Sequence, residues 1–316
     1  MDARKNIDPE LRDVIEHLPP QFDEIRRDNL HEVRAIMGQM KLDLAQPDAA
    51  VHSERRQIPG TDGDVTVVIA QRQGLPADRP CVLWIHGGGY IMGDADDPVS
   101  SVIAARFDCT VVSVDYRLAP EYPFPAGPRD CHDALLWVAQ NSASLGIDPD
   151  QIIIGGASAG GGMAAGVALM NRDLQGPPLA FQFLVYPMLD NLHDTASGQL
   201  ENNALWNRRT SVNAWEMYLD GAPGKEASPY AAAARAPDLS GLPPAYVVVG
   251  GEDLFRDDCI GYAQRLMASG VATQLAVFPG VFHGAEMLVP DAAISQRMQA
   301  SMFDALGNAL ARASAG

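Results

Sequence analysis

The spacing of apolar residues divides the chain into two regimes. Up to about residue 50 it is helical: Ile25, Leu30, Val33, Ile36, Met37 and Met40 fall roughly on one face of a helix predicted over 22–44. A shorter helix is predicted to begin at Asp8-Pro9-Glu10, where proline suits the first turn and acidic residues face the positive end of the dipole. Pro19-Pro20 ends it. From Val65 onward the pattern changes to short β-branched runs at 65–70, 82–85, 110–114, 152–154, 181–185, 246–249 and 274–277. The later runs alternate with helical stretches at about 128–141, 160–172, 257–269 and 291–312. Runs that are apolar on both faces and interleaved with helices predict an α/β fold, a mostly parallel sheet flanked by helices.

Residues 191–236 break this rhythm. They are polar, carry Trp206, Trp215 and Tyr218, and are too long for an ordinary connection in a compact domain. They read as an inserted helical cap, with the N-terminal helices as its second half. The expected organisation is residues 1–50 as the N-terminal part of the cap, 51–190 and 237–316 as the catalytic core, and 191–236 as the inserted part.

Composition narrows the function. An apolar content of 47% over 316 residues suffices for one large core. A net charge of −17 argues against nucleic-acid or anionic-membrane partners, which would repel it. Cys81, Cys109, Cys131 and Cys259 form no C-x-x-C pair and read as buried free thiols rather than a metal site. Met1-Asp2-Ala3-Arg4-Lys5 leads into no apolar segment, and no stretch is long enough to span a bilayer, so a cytoplasmic location is expected.

Two motifs carry the chemistry. Gly156-Ala157-Ser158-Ala159-Gly160 follows Ile152-Ile153-Ile154 and precedes a helical stretch. A serine there sits on a sharp strand-to-helix turn, and its small neighbours remove side chains that would collide. Taken alone, the pentapeptide also fits a tight turn with a bystander serine. The second motif, His86-Gly87-Gly88-Gly89, follows another apolar run and can turn backbone N–H groups toward a developing oxyanion.

A serine needs a base, and the base needs an orienting acid. Of seven histidines, His283 alone lies after the last strand-like run, in the glycine-flanked loop 279–285. Past the run 246–249, Asp253 occupies the strand tip and is the preferred acid, with Glu252 and Asp257 as the alternatives. Asp257 and Asp258 also serve as the acidic first turn of the next helix.

These motifs, with Tyr116-Arg117-Leu118-Ala119-Pro120-Glu121, Arg256-Asp257 and His283-Gly284, occur in order over about residues 80–285. In them the chain resembles the bacterial hormone-sensitive-lipase-like esterases, family IV of the α/β-hydrolases. The resemblance implies an α/β-hydrolase core under a helical lid, with Ser158 as nucleophile, His283 as base and Asp253 as orienting acid. It places the oxyanion N–H groups at Gly88, Gly89 and Ala159, with Gly87 shaping the loop. The chain departs from the family at Ala157, often Asp or Thr, and at Ala285, often Phe, which leaves the local pocket shape open. Arg117 and Glu121 are expected to form an ion-pair network that fixes the glycine loop.

The function expected is hydrolysis of short- to medium-chain acyl esters through an acyl-serine, with no metal or organic cofactor. Amide, formamide or lactone hydrolysis on the same residues is the alternative, and a non-enzymatic small-ligand receptor a remoter one. Tyr90, Trp206, Trp215 and Tyr218 are candidates for lining the substrate pocket; packing of the cap onto the core accounts for the cap aromatics equally well. The expected partner is a small acyl ester, and a homodimer is left open.

Overall fold

The computed structural model describes residues 5–44, 50–221, 224 and 226–313. The polar start Met1-Asp2-Ala3-Arg4 and the boundary drawn near residue 50 fall wholly or partly outside them. Eight strands form one sheet: β1 (Val51–Ile58), β2 (Val65–Arg72), β3 (Arg79–Ile85), β4 (Thr110–Asp115), β5 (Ile147–Ala157), β6 (Phe181–Val185), β7 (Ala245–Gly250) and β8 (Thr273–Phe278). Their order is β1-β2-β4-β3-β5-β6-β7-β8. The β1/β2 and β2/β4 pairs are antiparallel and the other five parallel. Every residue of β3 and β7 is buried, as expected for strands with helices on both faces.

The helices are α1 (Arg12–Glu16), α2 (Leu30–Leu44), α3 (Pro98–Arg106), α4 (Ala126–Gln140), α5 (Ser142–Leu145), α6 (Ala159–Asp173), α7 (Arg208–Tyr218), α8 (Arg256–Ala268), α9 (Ala285–Leu288) and α10 (Ala293–Ala313). The sequence pattern missed β1 and α3. β1 reads Val-His-Ser-Glu-Arg-Arg-Gln-Ile and buries only Ile58, so this edge strand carries no apolar alternation. The helix predicted over 22–44 begins only at Leu30. Before it, Asn29 closes a loop by accepting from Arg26 N (2.7 Å) and donating to Glu24 O (3.0 Å). Ile25 gives its own backbone N–H to Thr210 Oγ1 (3.1 Å) and its carbonyl to Asn213 Nδ2 (3.0 Å), which spends on α7 the bonds a helix would need. Asn207 Nδ2 donates to Asp23 O (2.8 Å), adding a third stitch between the N-terminal segment and the stretch linking β6 to β7.

Candidate active site

The C-terminal ends of β3, β5 and β7 and the loop after β8 deliver the four pieces of the site. β5 ends at Ala157, Ser158 turns, and α6 begins at Ala159. Ser158 has φ 58° and ψ −121°, a conformation that a non-glycine residue holds only when its surroundings enforce it. The enforcement is visible at Gly160: a methyl there would overlap the carbonyl oxygens of Ile85 and His86. The turn is thus pressed directly against the end of β3, where the glycine loop starts.

The loop after β8 brings His283 over this turn. Nε2 of His283 lies 2.9 Å from Ser158 Oγ, and Nδ1 lies 2.8 Å from Asp253 Oδ2. The other Asp253 oxygen accepts from Phe255 N at 2.9 Å. Asp253 is 1% exposed, so its carboxylate has the imidazole and a backbone amide as partners in place of water. Phe255 and Tyr186 meet the His283 ring edge-on, with centroids 5.1 and 4.7 Å away. The structure brings together the three residues singled out in the sequence, and places the two alternative acids elsewhere. Asp257 instead accepts from Ser197 N (2.7 Å) and from Arg256 Nε (2.7 Å), and Glu252 has Asn6 and Arg256 as neighbours.

Among the described residues no acceptor faces the N–H groups of Gly88, Gly89 and Ala159. The loop is braced from behind. The His86 ring stacks on Tyr116 at 4.2 Å, Tyr116 donates to His86 O (3.1 Å), and burial holds the His86 imidazole below its ordinary pKa and so neutral. Arg117 and Glu121 do not share one network. Arg117 forks onto buried Asp130, and Glu121 pairs with Arg34 of α2, so the segment is held from two sides.

A cavity of about 260 Å³ opens above Ser158 and His283. Phe22, Ile25, Met37 and Met40 line it from the N-terminal segment, Leu205 and Trp206 from the β6–β7 stretch, and Met287 and Leu288 from α9. Of the four expected lining aromatics, only Trp206 reaches it, lying so close over Gly89 that a Cβ there would overlap its ring. Tyr90, Trp215 and Tyr218 are not among the lining residues. They form a buried cluster beside the cavity, with Tyr90 stacked on Tyr218 at 4.0 Å and donating to Met188 O at 2.8 Å. Their rings are spent on packing. The methionines that take their place were legible only as one face of α2, since a helix pattern does not say which neighbour its face meets. Ala157 lines the cavity, and buried Ala285 leaves its side of it to Met287 and Leu288.

All four cysteines are buried and free. Among the described residues no cluster of three or more His, Cys, Asp or Glu could hold a metal ion, and no helix is long and apolar enough to cross a membrane.

A family model described as alpha/beta hydrolase fold matches residues 82–287. Carboxylesterase NlhH of Mycobacterium tuberculosis is 37% identical over 293 residues, 89% of each chain. The arylesterase of Saccharolobus solfataricus is 30% identical over 84% of this chain and 88% of its own. Among solved structures, a bacterial heroin esterase superposes with a TM-score of 0.92 at 37% identity, covering 98% of this chain and 99% of that one. The motifs, the fold and these relatives agree: the chain belongs to the hormone-sensitive-lipase-like carboxylesterases of the α/β-hydrolase fold family.

Proposed function

We propose that this enzyme hydrolyses short- to medium-chain carboxylic esters through an acyl-serine intermediate. The observation that carries the reading is the unbroken relay from Asp253 through His283 to Ser158 Oγ, at 2.8 and 2.9 Å, opening into a mostly apolar cavity. Ser158 Oγ attacks the ester carbonyl while His283 Nε2 takes its proton. Asp253 holds the Nδ1–H tautomer and offsets the imidazolium charge. The carbonyl oxygen, now an oxyanion, accepts from the N–H groups of Gly88, Gly89 and Ala159. The imidazolium returns its proton to the departing alcohol. A water, deprotonated by the same nitrogen, then releases the acid and restores Ser158.

The N-terminal segment and the 191–236 stretch act together as a cap, contributing Phe22, Ile25, Met37, Met40, Leu205 and Trp206 to the apolar wall against which the acyl or alkoxy group packs. The esterase names of the relatives support the reaction class. Replacement of Ser158 by Ala tests it: ester hydrolysis is expected to fall by on the order of 10³-fold or more in a folded variant. A fluorophosphonate probe should label the wild type at Ser158 alone. Near-normal turnover by the folded variant would end the reading.

A further inference from the structure

Beside the imidazole lies a second carboxyl group that the acyl-transfer scheme leaves without a task. Glu286 follows His283 by three residues, in the single turn of α9, and is 3% exposed. Its Oε1 accepts from the Tyr186 hydroxyl at 2.7 Å, whereas its Oε2 is buried with no partner. Tyr186, itself 2% exposed, presents its ring to His283 at an interplanar angle of 65°. A half-satisfied buried carboxyl is costly to a fold, and packing alone would favour an apolar side chain here.

The ionisable groups around it come from separate elements. Asp253 follows β7, Tyr186 follows β6, His283 precedes α9, and Asp97 at the start of α3 acts on Tyr186. Two carboxyls therefore flank one imidazole, and they are not equivalent. Asp253 has a partner on each oxygen. Glu286 has one side-chain donor, and burial pushes its carboxyl above the ordinary range, with the Tyr186 hydrogen bond opposing the rise. Of the two, Glu286 is the one with an oxygen left without a partner.

We propose that Glu286 is a positioning residue for the candidate general base: through Tyr186 it fixes the tilt of the His283 ring, and through its charge it sets how tightly that ring holds a proton. The proposal rests on the acyl-serine reading, since it assigns Glu286 to the base of that scheme. An ionised Glu286 favours imidazolium, leaving less of the neutral ring to deprotonate Ser158. A protonated Glu286 leaves the ring open to accept.

The test is the pH dependence of kcat/KM on a short acyl ester, followed from about pH 5 to 9. Glu286→Gln keeps an oxygen for the Tyr186 hydroxyl and removes the charge. The acid limb should move to lower pH by about half a unit to one unit. Tyr186→Phe strips the carboxyl of its donor, favours its protonated form, and should move the limb the same way; it carries the test if Glu286→Gln does not fold. In the double variant the two shifts should not add, because both act on one charge. A limb that stays in place in a folded variant, with kcat lowered equally at every pH, would make Glu286 a packing residue and overturn the proposal. A wild-type profile with no acid limb would instead overturn the acyl-serine reading itself.

Discussion

Arg34 grips Glu121 with both arms of its guanidinium, Nη1 and Nη2 donating to separate carboxylate oxygens at 2.7 and 2.8 Å. The same group reaches the carbonyls of Ile91 (2.8 Å) and Ala119 (2.9 Å). Ile91 N in turn donates to Gly88 O, so one side chain of α2 clamps the glycine turn proposed to supply the oxyanion donors. Arg34 thus ties the helix lining the cavity to the glycine loop.

Arg34→Met should release that clamp. Glu121 is half exposed, so the ion pair itself is worth little in water, and the loss is expected at about 1 kcal/mol of stability, chiefly from the carbonyl contacts. kcat/KM should fall by roughly three- to tenfold as the loop loosens. Thermal melts beside steady-state kinetics check both.

The pair also has a pH signature. Arg34, by its hydrogen bond, holds the Glu121 carboxyl below its ordinary value of 4.5. A depressed folded value contributes stability above the unfolded value and loses it as pH falls through the folded one. The melting-temperature gap between wild type and Arg34→Met should therefore narrow, but not close, in strong acid, because the contacts to the Ile91 and Ala119 carbonyls do not titrate.

Asp253→Asn and Asp257→Asn should separate cleanly. Of these two acids it is Asp253 that bonds the imidazole, so its amide would favour the wrong tautomer and lower kcat by on the order of 10³-fold or more. Asp257 holds Ser197 and Arg256, and its replacement should cost stability with turnover largely kept. The reverse ranking would refute the acid assignment.

Asp258 is a buried carboxyl with one unpartnered oxygen, and burial pushes its pKa up to about 7. Its folded value lies above the unfolded 3.8, so the folded state holds the proton more tightly than the unfolded chain. Stability tied to that proton is fully present below the unfolded value and is lost as pH rises toward 7. Asp258→Asn should accordingly raise the melting temperature more at about pH 8 than at about pH 5.

On the proposed reading, the apolar wall sets the acyl length accepted. Activity on p-nitrophenyl esters should decline beyond about eight acyl carbons, without a jump when substrate passes into emulsion. Met37→Trp should move the optimum to shorter chains. Strong interfacial activation would contradict the cap as described.

Ser158, His283 and Asp253, which the structure brings within hydrogen-bond distance, stood out in the sequence because geometry constrains their neighbourhood. A serine held at positive φ needs small flanking residues, and a base reaching over the sheet needs a loop after the last strand. The wall was not legible, because Met40 and Leu205 become neighbours only when α2 and the β6–β7 stretch meet. Tyr90 misled for the same reason: an aromatic beside a glycine loop looks the same in sequence whether it faces a ligand or another ring, and for Trp215 and Tyr218 the pattern left lining and packing equally open. Glu286 gave no signal at all, since a lone acidic residue after a histidine reads as solvent-exposed.

The contact between Gly160 and the carbonyls of Ile85 and His86 has a practical corollary for anyone retuning this enzyme. It presses the Ser158 turn against the start of the 86–89 glycine loop, so a library that randomises 156–160 or 86–89 is expected to return mostly misfolded clones. Diversity is better spent on Met37, Met40, Leu205, Met287 and Leu288, which touch the cavity from three separate stretches of chain and carry none of the reacting atoms. Selectivity can then drift across a large combinatorial space while the hydrolytic step stays constant.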